Sequence, residues 1–416
     1  MGLIDLLKKI EPDKKKSPFM HTLYDGFFTF LYSPNSTTKG GVHMRDGMDL
    51  KRLMVYVVLA MQACFLFGTY NIGHQHFAAA GMFPGFVEGF HLKLVHGLIQ
   101  MLPIFIVAHV VGLGIEFYFA AKKGHAIEEG FLVSGALIPL IMPPDIPLWI
   151  LAVAVAFAVI LGKEAFGGTG MNIWNVALLT RVFVFFAYPT TIAGDEVWVS
   201  GYNALAEGTQ ASYGWAHGMF NSLFEMMGLS TFQESTTKIV NGFTGATPLA
   251  LAYQGGWENV TATYTPSQMW WGSIPGSIGE TSKPLIIAGA LFLLFTKVAS
   301  WRIMLSMFLG GMIMALGLNF WGATPFMEVP WYYQMYMGSF LFAMAFMATD
   351  PVTASNTNRG KWIYGFMIGA IGMIVRVLNP AYPEGWMLAI LFMNTFAPLI
   401  DHYVIQGNIS KRLKRA

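Results

Sequence analysis

Long runs of apolar residues, each bounded by polar or charged positions, follow one another along this chain. A helix needs about 20 residues to cross roughly 30 Å of hydrocarbon, and fewer when it is broken inside the bilayer. The pattern predicts an all-α polytopic membrane protein with about ten transmembrane helices. The runs lie near 51–73, 94–120, 131–142, 148–162, 173–188, 284–298, 302–320, 333–348, 362–378 and 386–400.

Two of the runs are interrupted in a similar way. The third stops at "MPPDIP" and the eighth at "MATDPVTA", and two further apolar runs follow each break. Interrupted helices are tolerated at membrane depth where the freed backbone packs against protein or lines a cavity. The pattern therefore predicts two five-helix repeats with broken helices. Because five is an odd number, the two repeats should have opposite orientations in the membrane.

The charged residues predict which side of the membrane each region faces. Basic residues flank one set of run ends and close the chain in "KRLKRA", whereas residues 189–283 carry seven acidic residues against two lysines, Lys238 and Lys283. The positive-inside rule then places both termini in the cytoplasm and this acidic loop outside, in the periplasm of a Gram-negative bacterium. We predict five regions: an N-terminal segment 1–50, a first repeat 51–188, an external loop 189–283, a second repeat 284–402 and a basic tail 403–416.

Composition supports a membrane protein and excludes several other classes. The chain is 55% hydrophobic and 12% charged, with a mean hydropathy of +0.51, and its net charge of +2 gives no indication of nucleic-acid binding. The single Cys64 excludes a disulfide framework, a thiolate zinc site and a cysteine-bound iron–sulfur cluster within the chain. The charged N-terminus does not resemble a cleavable signal peptide. Any redox chemistry must therefore use another cofactor.

Ionisable residues in or beside the apolar runs are candidates for function, because charge at membrane depth is costly. We predict that Glu116 and Asp350 contribute to a cation path, since carboxylates are the hard oxygen ligands that Na⁺ prefers. The alternative is structural pairing of these acids with arginines. His74 and His76 resemble a metal pair but have no further ligands nearby in the sequence. The other candidates are His109, Arg181, Arg376 and Asp401.

Three small-residue stretches could serve ligands. In "FGGTGMNIWN" (166–175), three glycines allow close backbone approach, and asparagines offer donors and acceptors for a polar heterocycle; a tight turn with asparagine caps is the alternative. In "HVVGLGIE", Gly112 and Gly114 could form a groove for a flat quinone headgroup, or could serve helix packing. In "VNGFTGATPLA" (240–250), Thr247 presents a hydroxyl just before Pro248, and Thr244 is the competing acceptor.

Several of these stretches resemble one known family. "VNGFTGAT" is similar to a flavinylation motif, and "KEAFGGTGMN", "IPGSIGE", "FMATDPVTAS", "RVLNPAYPEG" and "NTFAPLIDH" resemble the NqrB/RnfD family, which contains the B subunit of the Na⁺-translocating NADH:quinone oxidoreductase. The resemblance covers nearly the whole chain. Two positions depart from the family pattern: Asn241 stands where the motif usually has Asp, and Val176 stands where the family has Pro.

The resemblance implies a set of cofactors and partners. It implies FMN joined through its phosphate to Thr247 by a flavin transferase, ubiquinone reduction coupled to Na⁺ movement, and assembly with five other subunits in the bacterial inner membrane. NADH oxidation would occur on partner chains, because no nicotinamide fingerprint is present. It also implies a non-covalent riboflavin near the glycine loop, at Gly167, Gly168, Thr169, Gly170, Asn172 and Asn175.

Two alternative functions remain open at this stage. One is the equivalent RnfD component of an Rnf ferredoxin:NAD⁺ oxidoreductase, which shares the flavin motif and the repeat. The other is a flavin-free channel or solute transporter with the same inverted repeat, in which the motif at Thr247 would be coincidental. Bound flavin on the purified chain would exclude this second alternative.

Overall fold

The described part of the chain is helical and contains no strand. The computed structural model describes residues 9–13, 16–31, 50–123, 130–194, 196–206, 215–232, 239–240, 243–379 and 385–415. The helices in these residues are α1 Pro18–Leu31, α2 Leu50–Ala79, α3 Phe90–Lys123, α4 Phe131–Ile141, α5 Leu148–Gly162, α6 Val176–Ala187, α7 Tyr202–Ala206, α8 Trp215–Met226, α9 Pro248–Thr263, α10 Pro266–Trp271, α11 Lys283–Phe295, α12 Trp301–Trp321, α13 Trp331–Tyr336, α14 Phe340–Phe342, α15 Asn358–Leu378 and α16 Trp386–Leu413.

The helices fit a polytopic membrane protein. Within the described residues, six helices are long and apolar enough to cross a membrane: α2, α3, α5, α12, α15 and α16. Three more apolar helices, α4, α6 and α11, have 11, 12 and 13 residues. At a rise of about 1.5 Å per residue these three are too short to span roughly 30 Å alone. The six long apolar helices confirm the prediction of an all-α polytopic membrane protein.

One predicted span is not a single helix. The run 333–348 divides into α13 and α14, because the backbone turns at Gly338, whose φ is +63°. After the turn, α14 continues as a π-helical turn over Ala343–Met347 and ends just before Asp350. The predicted break at "MATDPVTA" is therefore present, and a second break lies at Gly338. Helix α16 extends to Leu413, so most of the predicted basic tail 403–416 is helical.

The two halves share a similar packing order. In the first half, α3 packs against α2, α4 and α5, and α5 packs against α6. In the second half, α12 packs against α15, α15 packs against α16, and α11 contacts α14. The halves meet where α11 lies against α2 and where α6 lies against α16. This order is consistent with two repeats, while their opposite orientation stays a prediction.

The tight contact between α12 and α15 in the second half depends on glycine. A Cβ added to Gly369 of α15 would lie 2.1 Å from the Met307 carbonyl of α12, and one on Gly310 would lie 2.1 Å from the Phe366 carbonyl. Small residues let two membrane helices approach to backbone contact, which is a main source of their association in lipid.

The end of the predicted external loop lies inside the protein. Residues 272–282 are held against the first half, because Asn71 Nδ2 donates to the Ile274 carbonyl at 2.9 Å and the Gly279 N–H donates to the Leu140 carbonyl at 2.8 Å. Lys283, which the sequence suggested was a loop lysine, is fully buried at the first position of α11. This segment forms part of the first cavity described below.

Candidate functional site

Thr247 lies on a large cavity between the two halves. The cavity has a volume of about 390 Å³, within the size range of cofactor sites. Thr247 is the N-cap of α9, and its Oγ1 accepts a hydrogen bond from the Ala250 N–H at 3.2 Å. The Tyr264 hydroxyl donates to the Ala246 carbonyl at 2.9 Å and so fastens the loop before the cap. The Thr247 hydroxyl is therefore fixed beside the cavity.

The charged side chains that line this cavity give it a net positive charge. Arg181 and Lys283 are the cations, and Glu280 is the carboxylate. Arg181 lies over the Trp198 ring, with 5.6 Å between the guanidinium carbon and the ring centroid. Lys283 Nζ donates to the Glu280 carbonyl oxygen at 2.6 Å, while Glu280 Oε1 accepts from the Ser277 N–H at 3.0 Å. Two cations against one carboxylate favour an anionic ligand.

Two further features of the first cavity suit a phosphate group. The N-terminus of α9 begins at the cavity wall, and helix N-termini stabilise anions through their free N–H groups and the helix dipole. Thr281 also lines the cavity and is 1% exposed, and its hydroxyl has no hydrogen-bond partner within the described structure. A buried polar atom of this kind is costly unless a ligand or water satisfies it.

Thr244, the competing acceptor, is placed differently. Its Oγ1 accepts from the Ala246 N–H at 3.4 Å, and Thr244 is not among the residues that line the first cavity. Asn241, the position that departs from the flavinylation pattern, lies outside the described residues together with Gly242. Thr247 therefore lines the first cavity, whereas Thr244 does not.

The glycine loop has a backbone that only glycine adopts without strain. Gly167, Gly168 and Gly170 have φ of +121°, +108° and +89°. The Lys163 carbonyl anchors the loop by accepting from the Phe166 N–H at 3.2 Å and from the Gly168 N–H at 3.1 Å. A side chain at Gly168 or Gly170 would meet nothing within 4 Å, so this face of the loop is open.

The asparagines of the loop have local structural roles. Asn175 is the N-cap of α6, since its Oδ1 accepts from the Ala177 and Leu178 N–H groups at 3.0 and 3.2 Å. Asn172 Nδ2 donates to the Trp174 carbonyl at 3.1 Å. The alternative of asparagine caps is thus realised at Asn175. Val176, which departs from the family pattern, simply occupies the first helical position of α6.

A second cavity joins the glycine loop to Asp350. It has a volume of about 60 Å³, and its lining includes Thr169, Asn172 and Asn175 from the loop and Asp350 from the break after α14. Asp350 accepts from the Thr353 hydroxyl at 2.8 Å and from the Val352 N–H at 3.2 Å. The structure therefore brings together two predicted sites that lie about half the chain apart in sequence.

Lys163 also lines the second cavity, and sequence reasoning missed it. Its ammonium group forms a buried ion pair with Glu116 of α3. A neighbouring pair joins Lys123 to Glu164 at 2.9 Å and is more exposed. Glu116 is thus paired with a lysine, whereas the alternative from the sequence was pairing with an arginine. The only sequence signal was a lysine placed directly before the glycine loop.

The two glycines predicted for a quinone groove differ in their surroundings. A Cβ on Gly112 would lie 1.9 Å from the Phe131 ring, so Gly112 accommodates a packed aromatic side chain. A Cβ on Gly114 would meet nothing within 4 Å. The alternative of helix packing therefore describes Gly112, and the predicted groove has open space only at Gly114.

The remaining ionisable candidates have structural contacts. Arg376 donates to the Gln334 and Met337 carbonyls at the end of α13, at 2.6 and 3.1 Å. Asp401 accepts from the Ser355 hydroxyl at 2.7 Å and from the Thr357 hydroxyl at 2.6 Å, at the start of α15. His109 bonds the Phe105 carbonyl one turn earlier. No group of three or more metal-ligating side chains occurs within the described ranges, so His74 and His76 form no such site there.

Comparisons with known proteins agree on one family. The model of the NQR2, RnfD, RnfE family matches residues 37–410. The chain is 41% identical to the B subunit of the Na(+)-translocating NADH-quinone reductase of Pseudomonas paraeruginosa, over 100% of both chains. It is 41% identical to the protein of the same name from Chromohalobacter salexigens, over 100% of this chain and 97% of that one. The counterpart in Azotobacter vinelandii is 40% identical over 95% and 94%.

Proposed function

This chain belongs to the NQR2, RnfD, RnfE family, and we propose that it is the membrane-embedded B subunit of a Na⁺-translocating NADH:quinone reductase. In this role it passes electrons through covalent FMN and riboflavin toward ubiquinone and couples their passage to Na⁺ movement. The observation that most directly supports this proposal is the position of Thr247 beside a cofactor-sized, positively charged cavity. Full-length similarity to B subunits of the quinone reductase favours this role over that of the RnfD component.

The residues around Thr247 fit FMN attached through its phosphate. The ester oxygen on Thr247 would keep the acceptor position that caps α9, so attachment need not unwind the helix. Arg181 and Lys283 would balance the phosphate charge, and the Thr281 hydroxyl would gain a partner. A flavin so held supplies one- and two-electron transfer at its ring, while the protein supplies position and electrostatics.

The second cavity fits a cation better than a flavin. Its 60 Å³ holds about four waters, or a cation with a few waters, and is too small for a tricyclic ring. We therefore propose that Asp350 contributes to the Na⁺ path there and that Glu116 acts through Lys163. The riboflavin would lie on the open face of the loop at Gly168 and Gly170, where the structure leaves space.

The proposal includes a membrane arrangement and a set of partners. Both termini lie in the cytoplasm and Thr247 lies in the periplasm, where a flavin transferase would reach it. Five other subunits complete the complex in the bacterial inner membrane and carry the NADH site. Ubiquinone accepts the electrons, and Gly114 marks the part of the predicted groove that is open to a flat headgroup.

Quinone reduction in membranes tests the proposed function. In membranes that contain the whole complex, NADH-dependent ubiquinone reduction should rise with Na⁺ concentration. Thr247→Asn should abolish most of this rate while the complex still assembles, because Asn can cap α9 but carries no hydroxyl for esterification. A rate that is independent of Na⁺ would exclude the coupling. Full activity in Thr247→Asn would show that quinone reduction does not depend on flavin at Thr247.

A further inference from the structure

The three charged groups at the second cavity have an uneven charge balance. Asp350 lines the cavity, and Lys163 lines it while holding Glu116 in an ion pair. Two carboxylates and one ammonium group leave a net charge of −1. The other polar lining residues, Ser134, Thr169, Asn172, Asn175 and Thr349, are neutral. Because charge at membrane depth is costly when unbalanced, this arrangement favours one added positive charge.

Lys163 is fixed in position from three directions. Its N–H donates to the Val159 carbonyl at the end of α5, and its own carbonyl anchors the glycine loop. Its ammonium group reaches Glu116 on α3, and the residue is 4% exposed. Lys163 is therefore held at the wall of the same cavity that Asp350 lines.

We propose that Lys163 is the specificity-determining residue of the cation cavity. Its ammonium group neutralises Glu116, so the cavity accepts one monovalent cation at Asp350 and rejects divalent ions. The inference rests on the proposed cation path and goes beyond it, because it assigns cation stoichiometry and valence to a residue outside the predicted ligands. Without Lys163 the cavity would carry a charge of −2, which suits a divalent ion or two monovalent ions.

Charge-changing variants test this inference in opposite directions. Lys163→Gln should tighten Na⁺ binding by about tenfold, because a like charge near the bound cation is removed at a moderate effective dielectric constant. It should also let Ca²⁺ compete with Na⁺. Glu116→Gln leaves Lys163 unneutralised beside the cavity and should weaken Na⁺ binding by about tenfold. The double variant restores the net charge of −1 and should return the affinity to within about threefold of wild type.

Equilibrium dialysis of the purified complex with radioactive Na⁺ measures these affinities without turnover. Lys123→Gln is the matched control, because it breaks the neighbouring ion pair with Glu164, and Lys123 does not line the cavity. If Asp350→Asn weakens binding but Lys163→Gln behaves like Lys123→Gln, the role of Lys163 is overturned and the cation path stands. If Asp350→Asn leaves binding unchanged, both proposals fail. If Lys163→Gln does not assemble, the double variant decides: wild-type affinity supports the proposal, and affinity as weak as that of Glu116→Gln overturns it.

Discussion

Single residues in the glycine loop are constrained by backbone conformation as well as by chemistry. Gly168 has a φ of +108° and faces open space, so an added methyl group meets no neighbour but strains the backbone. We expect Gly168→Ala to destabilise the loop by about 1–2 kcal/mol. It should also lower non-covalent flavin content while covalent flavin at Thr247 is unchanged.

Thermal unfolding of the purified complex and extraction of its free flavin measure this effect. Gly317→Ala is the control, because Gly317 lies in α12 and also faces open space. There alanine should be neutral or stabilise by up to about 1 kcal/mol. Equal behaviour of both variants would show that the loop conformation has no special role.

Only part of the arrangement around the glycine loop and the second cavity could be predicted from the sequence. Three glycines in four positions indicated a tight backbone, because a positive φ is a local property. The partner of Glu116 could not be predicted, since Lys163 lies 47 residues away and no local pattern links the two. The closeness of Asp350 to the glycine loop likewise depends on packing between the two halves.

Among the elements, the α12–α15 pair depends most on small residues. Gly369→Leu would force a side chain against the Met307 carbonyl and the Gly311 N–H, so the helices must separate. We expect a loss of about 3 kcal/mol or more, at the upper end of overpacking effects. The yield of assembled complex on a native gel should fall sharply. Gly317→Leu on the open face of α12 should retain near wild-type yield; a similar loss there would contradict the role of close packing.

Helix α8 is held by contacts among buried histidines. His217 Nε2 lies 3.2 Å from His96 Nδ1, and the His96 ring stacks on His76 at 4.0 Å. Burial, followed by the charge of His76, lowers the pKa of His217 from 6.5 to about 4. The unfolded segment therefore binds more protons than the folded one between these pH values. The stability of α8 should be present above pH 6.5 and should fall as the pH decreases toward 4.

Hydrogen exchange measures the stability of α8 directly. Protection of residues 215–226, corrected for the intrinsic rate, should decrease from pH 7 to pH 4. His217→Phe keeps an aromatic ring beside Phe232 and removes the titrating group, so it should flatten the pH dependence. A wild-type profile as flat as that of His217→Phe would show that this histidine does not control the stability of α8.

Element boundaries followed the apolar runs closely except where a break lay inside a run. The hydrophobic pattern predicted α4, α5 and α15 within a few residues, because helix length in the bilayer follows from apolar length. It missed the turn at Gly338, since an isolated glycine in an apolar run is also common within membrane helices. It also missed the buried segment 272–282, whose polar residues are typical of an external loop.

At the scale of the whole molecule, the charge distribution predicts which side of the membrane the termini and the loop 189–283 face, and this orientation can be tested. Cys64 is the only cysteine and is buried, so Cys64→Ser gives a background for single cysteines at exposed positions. An impermeant thiol reagent should label Met227→Cys in intact cells. It should label Ile10→Cys and Lys414→Cys only after the membrane is opened. Labelling of Ile10→Cys and Lys414→Cys in intact cells would invert the orientation.

The proposed function depends most directly on the proposed ester between FMN and Thr247. When the complex is expressed with the flavin transferase and run on a denaturing gel, the band of this chain should fluoresce under ultraviolet light. Thr247→Asn should keep α9 capped and give no fluorescence, whereas Thr244→Val should stay as bright as wild type. A Thr247→Asn band as bright as wild type would contradict the attachment of FMN at this residue.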